Sequence, residues 1–244
     1  MGSNFWGQDV AEVYDATSAS MFTPEVLGPT VDFLAELAGD GPTLELAIGT
    51  GRVGLALAAR GVTVHGIELS PHKAAQLRAK PDADSVSLTI GDMTSTRIDV
   101  TCSLVYLVFN TIMNVTTLDE QIAVFENAAA HLRPDGCFVL ELVVPQLRRL
   151  PPGELARVFT LEPGHIGVET FDDVIGQVTW SHHWIEADGR TVTHSAPYRY
   201  IWPAELELMG RLAGFRLRDR WADWDRSPFT NDSPSHIAVF EKVS

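Results

Sequence analysis

The chain has 244 residues, 45% of them hydrophobic and 20% charged, with a net charge of −14. That length and apolar content suit one α/β domain with a large core and room for an insertion. There is no Lys or Arg cluster beyond Arg148-Arg149 and no apolar run near the ~20 residues that span a bilayer, so nucleic-acid and membrane partners are not expected.

Residues 1–22 carry Phe5, Trp6, Tyr14 and Phe22 without strong periodicity. The first residues have neither the basic nor the apolar region of a secretory signal, and a cytoplasmic location is expected. Thr23-Pro24-Glu25 predicts a helix start: a cap candidate, proline at the first position and an acid in the first turn. Leu27, Val31, Leu34 and Ala38 recur at helical spacing, and Gly39 to Pro42 closes that helix.

Thr43 to Ile48 predicts a short strand with a single acid, Glu45. Glycines follow at 49, 51 and 54, and Arg52 to Arg60 predicts a helix. In such a strand–turn–helix unit glycine allows positive φ and close approach of a ligand to backbone. The open N–H groups of the helix start favour polar or anionic ligand groups. This stretch is therefore expected to bind the polar part of a nucleotide-like cofactor. Gly49-Thr50-Gly51-Arg52-Val53-Gly54 fits G-x-G-x-x-G, so a nicotinamide dinucleotide is one reading. Glu45 discriminates: a carboxylate there repels a pyrophosphate and suits a ligand carrying an ammonium and a sulfonium.

Val62 to Ile67 predicts a second strand ending at Glu68, Ser70-Pro71 opens a helix, and Ser85 to Ile90 predicts a third strand ending at Gly91-Asp92-Met93. Cys102 to Phe109 suits a strand buried on both faces. Its cysteine, like Cys137, reads as a small buried thiol. Leu118 to Leu132 predicts a helix, residues 133–136 a turn, and Cys137 to Val144 a fifth strand. This alternation argues for a parallel, doubly wound sheet. After Pro145 the pattern changes. Residues 155–161, 167–172, 177–186 and 191–201 predict strands without intervening helices, with Asp188-Gly189 as a hairpin turn. Pro203 to Leu212 predicts a helix, Gly214-Phe215 the start of a strand, and Ser235 to Val243 the last strand.

The run Leu44 to Gly54 resembles motif I of the class I S-adenosylmethionine-dependent methyltransferases, with the third glycine displaced by one position. Gly66 to Ser70 looks like motif II, Gly91-Asp92-Met93 like motif III, and Leu132 to Gly136 like the family's turn before strand five. In layout the chain is most similar to bacterial small-molecule members such as the glycine and amino-sugar N-methyltransferase-like group. The resemblance implies a doubly wound, mostly parallel sheet of seven strands with an antiparallel β insertion after strand five. The expected units are an N-terminal cap and cofactor core at 1–145, a substrate-covering insertion at 146–200 and a completion of the core at 201–244. It also implies S-adenosylmethionine as cofactor and a small-molecule substrate methylated on nitrogen or oxygen, and it allows a homodimer. A non-catalytic S-adenosylmethionine-binding protein and an NAD(P)-dependent oxidoreductase remain the alternatives.

For cofactor contacts the resemblance points to Glu45, Ala47, Gly49, Gly51, Arg52, Leu69, Met93 and Phe109. Glu68 closes strand two, where a carboxylate can accept two ribose hydroxyls. Asp92 implies a contact to the adenine amino group; by itself it reads equally as a turn cap. Asn110, Thr111 and Asn114 follow strand four, where the family holds its methyl donor. They either orient a substrate or satisfy their own backbone. Tyr14, in Val13-Tyr14-Asp15, is a candidate lid residue. On the strand 177–186, alternation puts Val178, Trp180, His182 and Trp184 on one face. Trp180 and Tyr198 are substrate-wall candidates, and His182 is either a satisfied imidazole or a base beside an apolar pocket. His183 points the other way, and no metal-ligand spacing appears.

Overall fold

The structure, a computed structural model, describes residues 23–186 and 188–243, so Tyr14, like Phe5, Trp6 and Phe22, lies outside the described residues. Helix α1 (Pro24–Ala38) buries Val31, Phe33, Leu34 and Ala38. The Thr23 side chain makes no capping hydrogen bond, leaving the fixed φ of Pro24 and the acid Glu25 to favour this start. There follow β1 (Thr43–Leu46), α2 (Arg52–Ala58), β2 (Val64–Glu68), α3 (Pro71–Arg78) and β3 (Val86–Ile90). Next come β4 (Cys102–Leu107), α4 (Leu118–His131) and β5 (Leu132–Val143). The remaining elements are β6 (Ala156–Glu162), β7 (His165–Asp172), β8 (Gln177–Ile185), β9 (Thr191–Arg199), α5 (Pro203–Leu212), β10 (Phe215–Trp221) and β11 (Ser235–Lys242).

The main sheet has seven strands in the order β10-β11-β5-β4-β1-β2-β3. Strands β1 to β5 pair in parallel, and β11 runs antiparallel to both β5 and β10. Strands β1 and β4 are buried throughout, because helices cover both faces. One face packs Leu44, Leu46, Val105 and Leu107 against Phe125 of α4 and Leu206 of α5. The other packs Leu104, Tyr106 and Val139 against Phe33 and Leu34 of α1 and Leu57 of α2. Phe125 meets Phe138 and Phe240 edge-on at 5.1 and 5.3 Å.

The turn expected at 133–136 lies inside β5 as an irregularity. Cys102 pairs with Leu132 but Leu104 pairs with Cys137, and Asp135 takes φ 60°. Strand order reverses between β1 and β4, so the crevice at their carboxyl ends is the topological ligand site.

Strands β6 to β9 form a separate four-stranded antiparallel sheet. Phe171, Val178 and Tyr200 root its inner end in the main core. Arg199 fastens the same end, donating to Gln121 Oε1 of α4 at 2.6 Å and pairing with Glu205 of α5 at 2.5 Å. Among the described residues no helix is long and apolar enough to cross a membrane.

Candidate active site

Three turns meet at the strand-order reversal. The first joins β1 to α2 and places Ala47, Gly49 and Gly51 at φ 55°, 61° and 84°. Glu68, at the end of β2, holds this turn. Its Oε2 accepts from Gly49 N at 2.8 Å and its Oε1 from Ser70 N at 2.7 Å. One carboxylate thereby fixes both the glycine turn and the start of α3. The second turn follows β3. Asp92 Oδ1 accepts from Thr94 N at 2.8 Å and from Thr94 Oγ1 at 2.7 Å, and Asn127 of α4 donates to Met93 O at 2.7 Å.

The third turn follows β4, where Phe109 and Asn110 take φ 58° and 59° in succession. Two left-handed non-glycine residues cost on the order of 1–3 kcal/mol each, so neighbours must hold them. Glu141 of β5 does so. Its Oε2 accepts from Phe109 N at 2.7 Å, its backbone oxygen accepts from Asn110 N at 3.1 Å, and Asn110 Oδ1 accepts from Val143 N at 2.6 Å. Trp224 Nε1 donates to the other carboxyl oxygen at 3.3 Å. Burial raises the Glu141 pKa against the lowering effect of these bonds and of Arg52. Sequence reasoning did not single out Glu141. The available signal was the one that marked Glu45, a lone acid in an apolar strand.

These turns wall a cavity of about 530 Å³, within the ~300–1,000 Å³ usual for small-molecule sites. Glu45, Ala47, Gly49, Arg52, Glu68, Leu69, Asp92, Met93 and Phe109 line it, as do Asn110, Thr111 and Asn114. Trp180, Ala196, Pro197 and Tyr198 of β8 and β9 supply a wall from the antiparallel sheet. Lys73, Thr50 and the Val115-Thr116 pair are further lining residues that sequence reasoning did not single out. The Arg52 guanidinium lies 5.5 Å above the Phe109 ring.

Several expectations change in detail. Gly51 does not line the cavity: an added Cβ would meet Leu77 and Leu55 at 3.0 and 3.1 Å, and its φ is left-handed. Its glycine serves turn geometry and helix packing. At Gly54 an added Cβ would come within 2.8 Å of Glu45 Oε2, so this glycine lets α2 lie against β1. Glu45 itself is buried and accepts from Tyr106 Oη at 3.1 Å. Burial pushes its carboxyl up to about 8, with Tyr106 and Arg52 acting in the opposite sense. The negative charge expected there is therefore weak at neutral pH.

Thr111 donates to Val108 O at 2.7 Å and Asn114 to Thr111 O at 2.9 Å, so both spend hydrogen bonds on local backbone. His182 does not line the cavity. It lies on the same face as Trp180 but further out, with Nδ1 3.0 Å from His165 Nε2 and its ring stacked on His165 and Trp184. Burial, followed by His165, His183 and His194, lowers its pKa. A general base must come within hydrogen-bond reach of the proton it takes, and the partner within reach of His182 is His165. Among the described residues no group of three or more His, Cys, Asp or Glu could hold a metal ion.

A methyltransferase-domain family model matches residues 43–136. The cypemycin N-terminal methyltransferase of a Streptomyces species is 27% identical over 242 residues, spanning 94% of this chain and 98% of that protein. The solved structure of the CcbJ methyltransferase from Streptomyces caelestis is 31% identical, with full coverage of both chains and a TM-score of 0.88. CalS10, an amino pentose methyltransferase from Micromonospora echinaspora solved with S-adenosylmethionine bound, shares the fold. It is 22% identical, with a TM-score of 0.74 over 95% of this chain and 97% of that one.

Proposed function

The chain belongs to the S-adenosylmethionine-dependent methyltransferases, and on that footing we propose that it methylates an amine nitrogen of a small molecule. One observation carries the choice of nitrogen. Among the described residues no histidine lines the cavity, and its carboxylates are held by protein groups at the end read here as the cofactor's: Glu45 by Tyr106, Glu68 by Gly49 and Ser70, Asp92 by Thr94. A hydroxyl acceptor needs a base within reach. A neutral amine brings its own lone pair, and its product loses a proton to solvent. The name of the cypemycin relative, an N-terminal methyltransferase, supports the same reading. A net charge of −14 favours neutral or cationic acceptors over polyanions.

When bound, S-adenosylmethionine would supply a sulfonium methyl for in-line attack by the acceptor, with S-adenosylhomocysteine as the leaving group. The donor set fits that molecule. Glu68 has lone pairs beyond the two given to backbone, and these accept the ribose hydroxyls. Asp92 and the Met93 backbone take the adenine edge. Arg52 meets the carboxylate, and Glu45 lies near the ammonium. Ala47, Gly49, Leu69 and Phe109 shape the wall around them. Asn110, Thr111 and Asn114 fix the contour beyond the methyl group, and Trp180 and Tyr198 hold the acceptor. Residues 146–200 act as a substrate-covering unit between a cofactor core at 1–145 and its completion at 201–244. Alignment in a dry cavity supplies the catalysis, an effect worth ~7–11 kcal/mol. The dinucleotide reading is left without support, because the family is that of methyltransferases.

The test is turnover with paired acceptors. Purified protein and S-adenosylmethionine are incubated with small amines or the matching alcohols, and methylated products and S-adenosylhomocysteine are followed by mass spectrometry. Amines should be methylated and alcohols left unchanged. Turnover of alcohols with none of the amines would overturn the nitrogen assignment.

A further inference from the structure

The two faces of the antiparallel sheet differ. One carries polar cross-strand pairs, Ser181 with Ser195 at 2.8 Å and His183 with Thr193 at 2.9 Å. The other begins in the cavity wall and continues outward as an unbroken series of rings. Tyr198 and Trp180 are 4.5 Å apart, Trp180 and Phe159 6.4 Å, Phe159 and His182 5.3 Å, and His182 and His165 5.2 Å. The series continues to Trp184, stacked 5.1 Å from His165, and to His194, edge-on 5.5 Å from Trp184.

The register explains this continuity. Trp180, His182 and Trp184 alternate onto one face of β8, opposite Glu169, Gly167 and His165 of β7. Gly167 leaves the space that Phe159 fills, since an added Cβ there would meet its ring at 2.6 Å. At the inner end Phe171 and Val178 are packed into the core, while at the outer end Trp184 and Val192 are 37% and 38% exposed. Four residues of strand separate Trp180 from Trp184, or ~13 Å. A row of rings kept on one face, open at its outer end and joined to the cavity at its inner end, is a surface for something that also enters the cavity.

We propose that this face docks the far portion of the methyl acceptor, so that the acceptor is an elongated molecule carrying a planar or apolar group ~13 Å past Trp180. Ring faces favour stacked aromatic and apolar partners, and tolerate cationic ones. His182 takes part as one of these rings. The proposal rests on the reading of the cavity as the methyl-transfer site, but its test reads binding rather than turnover. The two can therefore fail separately: phenyloctylamine bound through Trp184 without being methylated would leave the docking face standing and remove the acceptor assignment.

The experiment uses full-length protein saturated with S-adenosylhomocysteine, titrated in a calorimeter with butylamine and with phenyloctylamine. Phenyloctylamine should bind at least tenfold tighter than butylamine. Trp184→Ala should remove most of that advantage, leaving butylamine and S-adenosylhomocysteine affinities unchanged, and Trp184→Phe, which keeps a ring, should restore it. Trp184 is partly exposed, and a thermal melt confirms that each variant is folded. The proposal is overturned if phenyloctylamine binds no tighter than butylamine, or if Trp184→Ala binds it within twofold of the parent. It is also overturned if light scattering shows a dimer that Trp184→Ala dissociates, since the face then belongs to a second copy. It falls as well if phenyloctylamine binds only after residues 1–22 are deleted.

Discussion

Exchanging Glu68 for glutamine separates a carboxylate from its nearest isostere at the point where the cofactor turn is held. In the parent both oxygens accept backbone N–H groups, Gly49 at 2.8 Å and Ser70 at 2.7 Å. An amide has one acceptor oxygen, so glutamine serves one of these donors and turns its own NH2 group toward the other. A donor left unsatisfied costs about 1–3 kcal/mol, and a lost hydrogen bond to a charged group about 1.5–3 kcal/mol. Unfolding free energy should fall by about 1–3 kcal/mol in urea denaturation. The ribose loses part of the same acceptor, and tenfold in affinity is about 1.4 kcal/mol. Glu68→Gln should therefore weaken S-adenosylhomocysteine by roughly 10- to 100-fold in calorimetry, and Glu68→Ala by at least as much. A folded Glu68→Gln variant that binds within twofold of the parent would refute the ribose contact. Lost stability with unchanged affinity would confine Glu68 to the turn.

Glu45, raised from about 4.5 to about 8, binds a proton more tightly folded than unfolded. Its contribution is present below pH 4.5 and lost as pH rises through 8. The free protein should therefore lose stability across that window, and Glu45→Gln should flatten the profile; parallel profiles would count against this. At pH 7 an arriving ammonium should ionise Glu45, so S-adenosylhomocysteine binding should release a proton. Buffers of different ionisation enthalpy report it in calorimetry, and identical enthalpies would argue otherwise. His236 is fully buried, neither ring nitrogen finds a hydrogen-bond partner among the described residues, and burial lowers its pKa from 6.5 to about 3. Its contribution is present above pH 6.5 and lost as pH falls toward 3, so His236→Leu should reduce acid sensitivity; an unchanged acid slope would contradict this. Glu141→Ala orphans the Phe109 N–H and the Trp224 indole N–H. It should cost about 2–4 kcal/mol of stability in urea denaturation, and a loss below 0.5 kcal/mol would show that the Phe109-Asn110 turn holds itself.

The cofactor half was legible because its signals are local. A glycine turn after a short strand, an acid at each strand end and helices opened by proline each depend on a few neighbouring residues, and Glu45, Glu68 and Asp92 do line one cavity. At Gly51 the same local signal also serves packing, since an added side chain would meet Leu55 in the next helix and Leu77 beyond it. Alternation also placed Trp180, His182 and Trp184 on one face, as their ring contacts show. How far along that face the cavity extends depends on how β9 packs against Thr111–Asn114 after β4, and the structure leaves His182 beyond it. Glu141 became visible only through tertiary structure. It meets Phe109 across 32 residues of sequence, and parallel pairing of β4 with β5 brings them together. The protonation of Glu45 was hidden for the same reason. A sequence shows which group carries a charge, but the cost of that charge depends on how much water the folded chain removes around it.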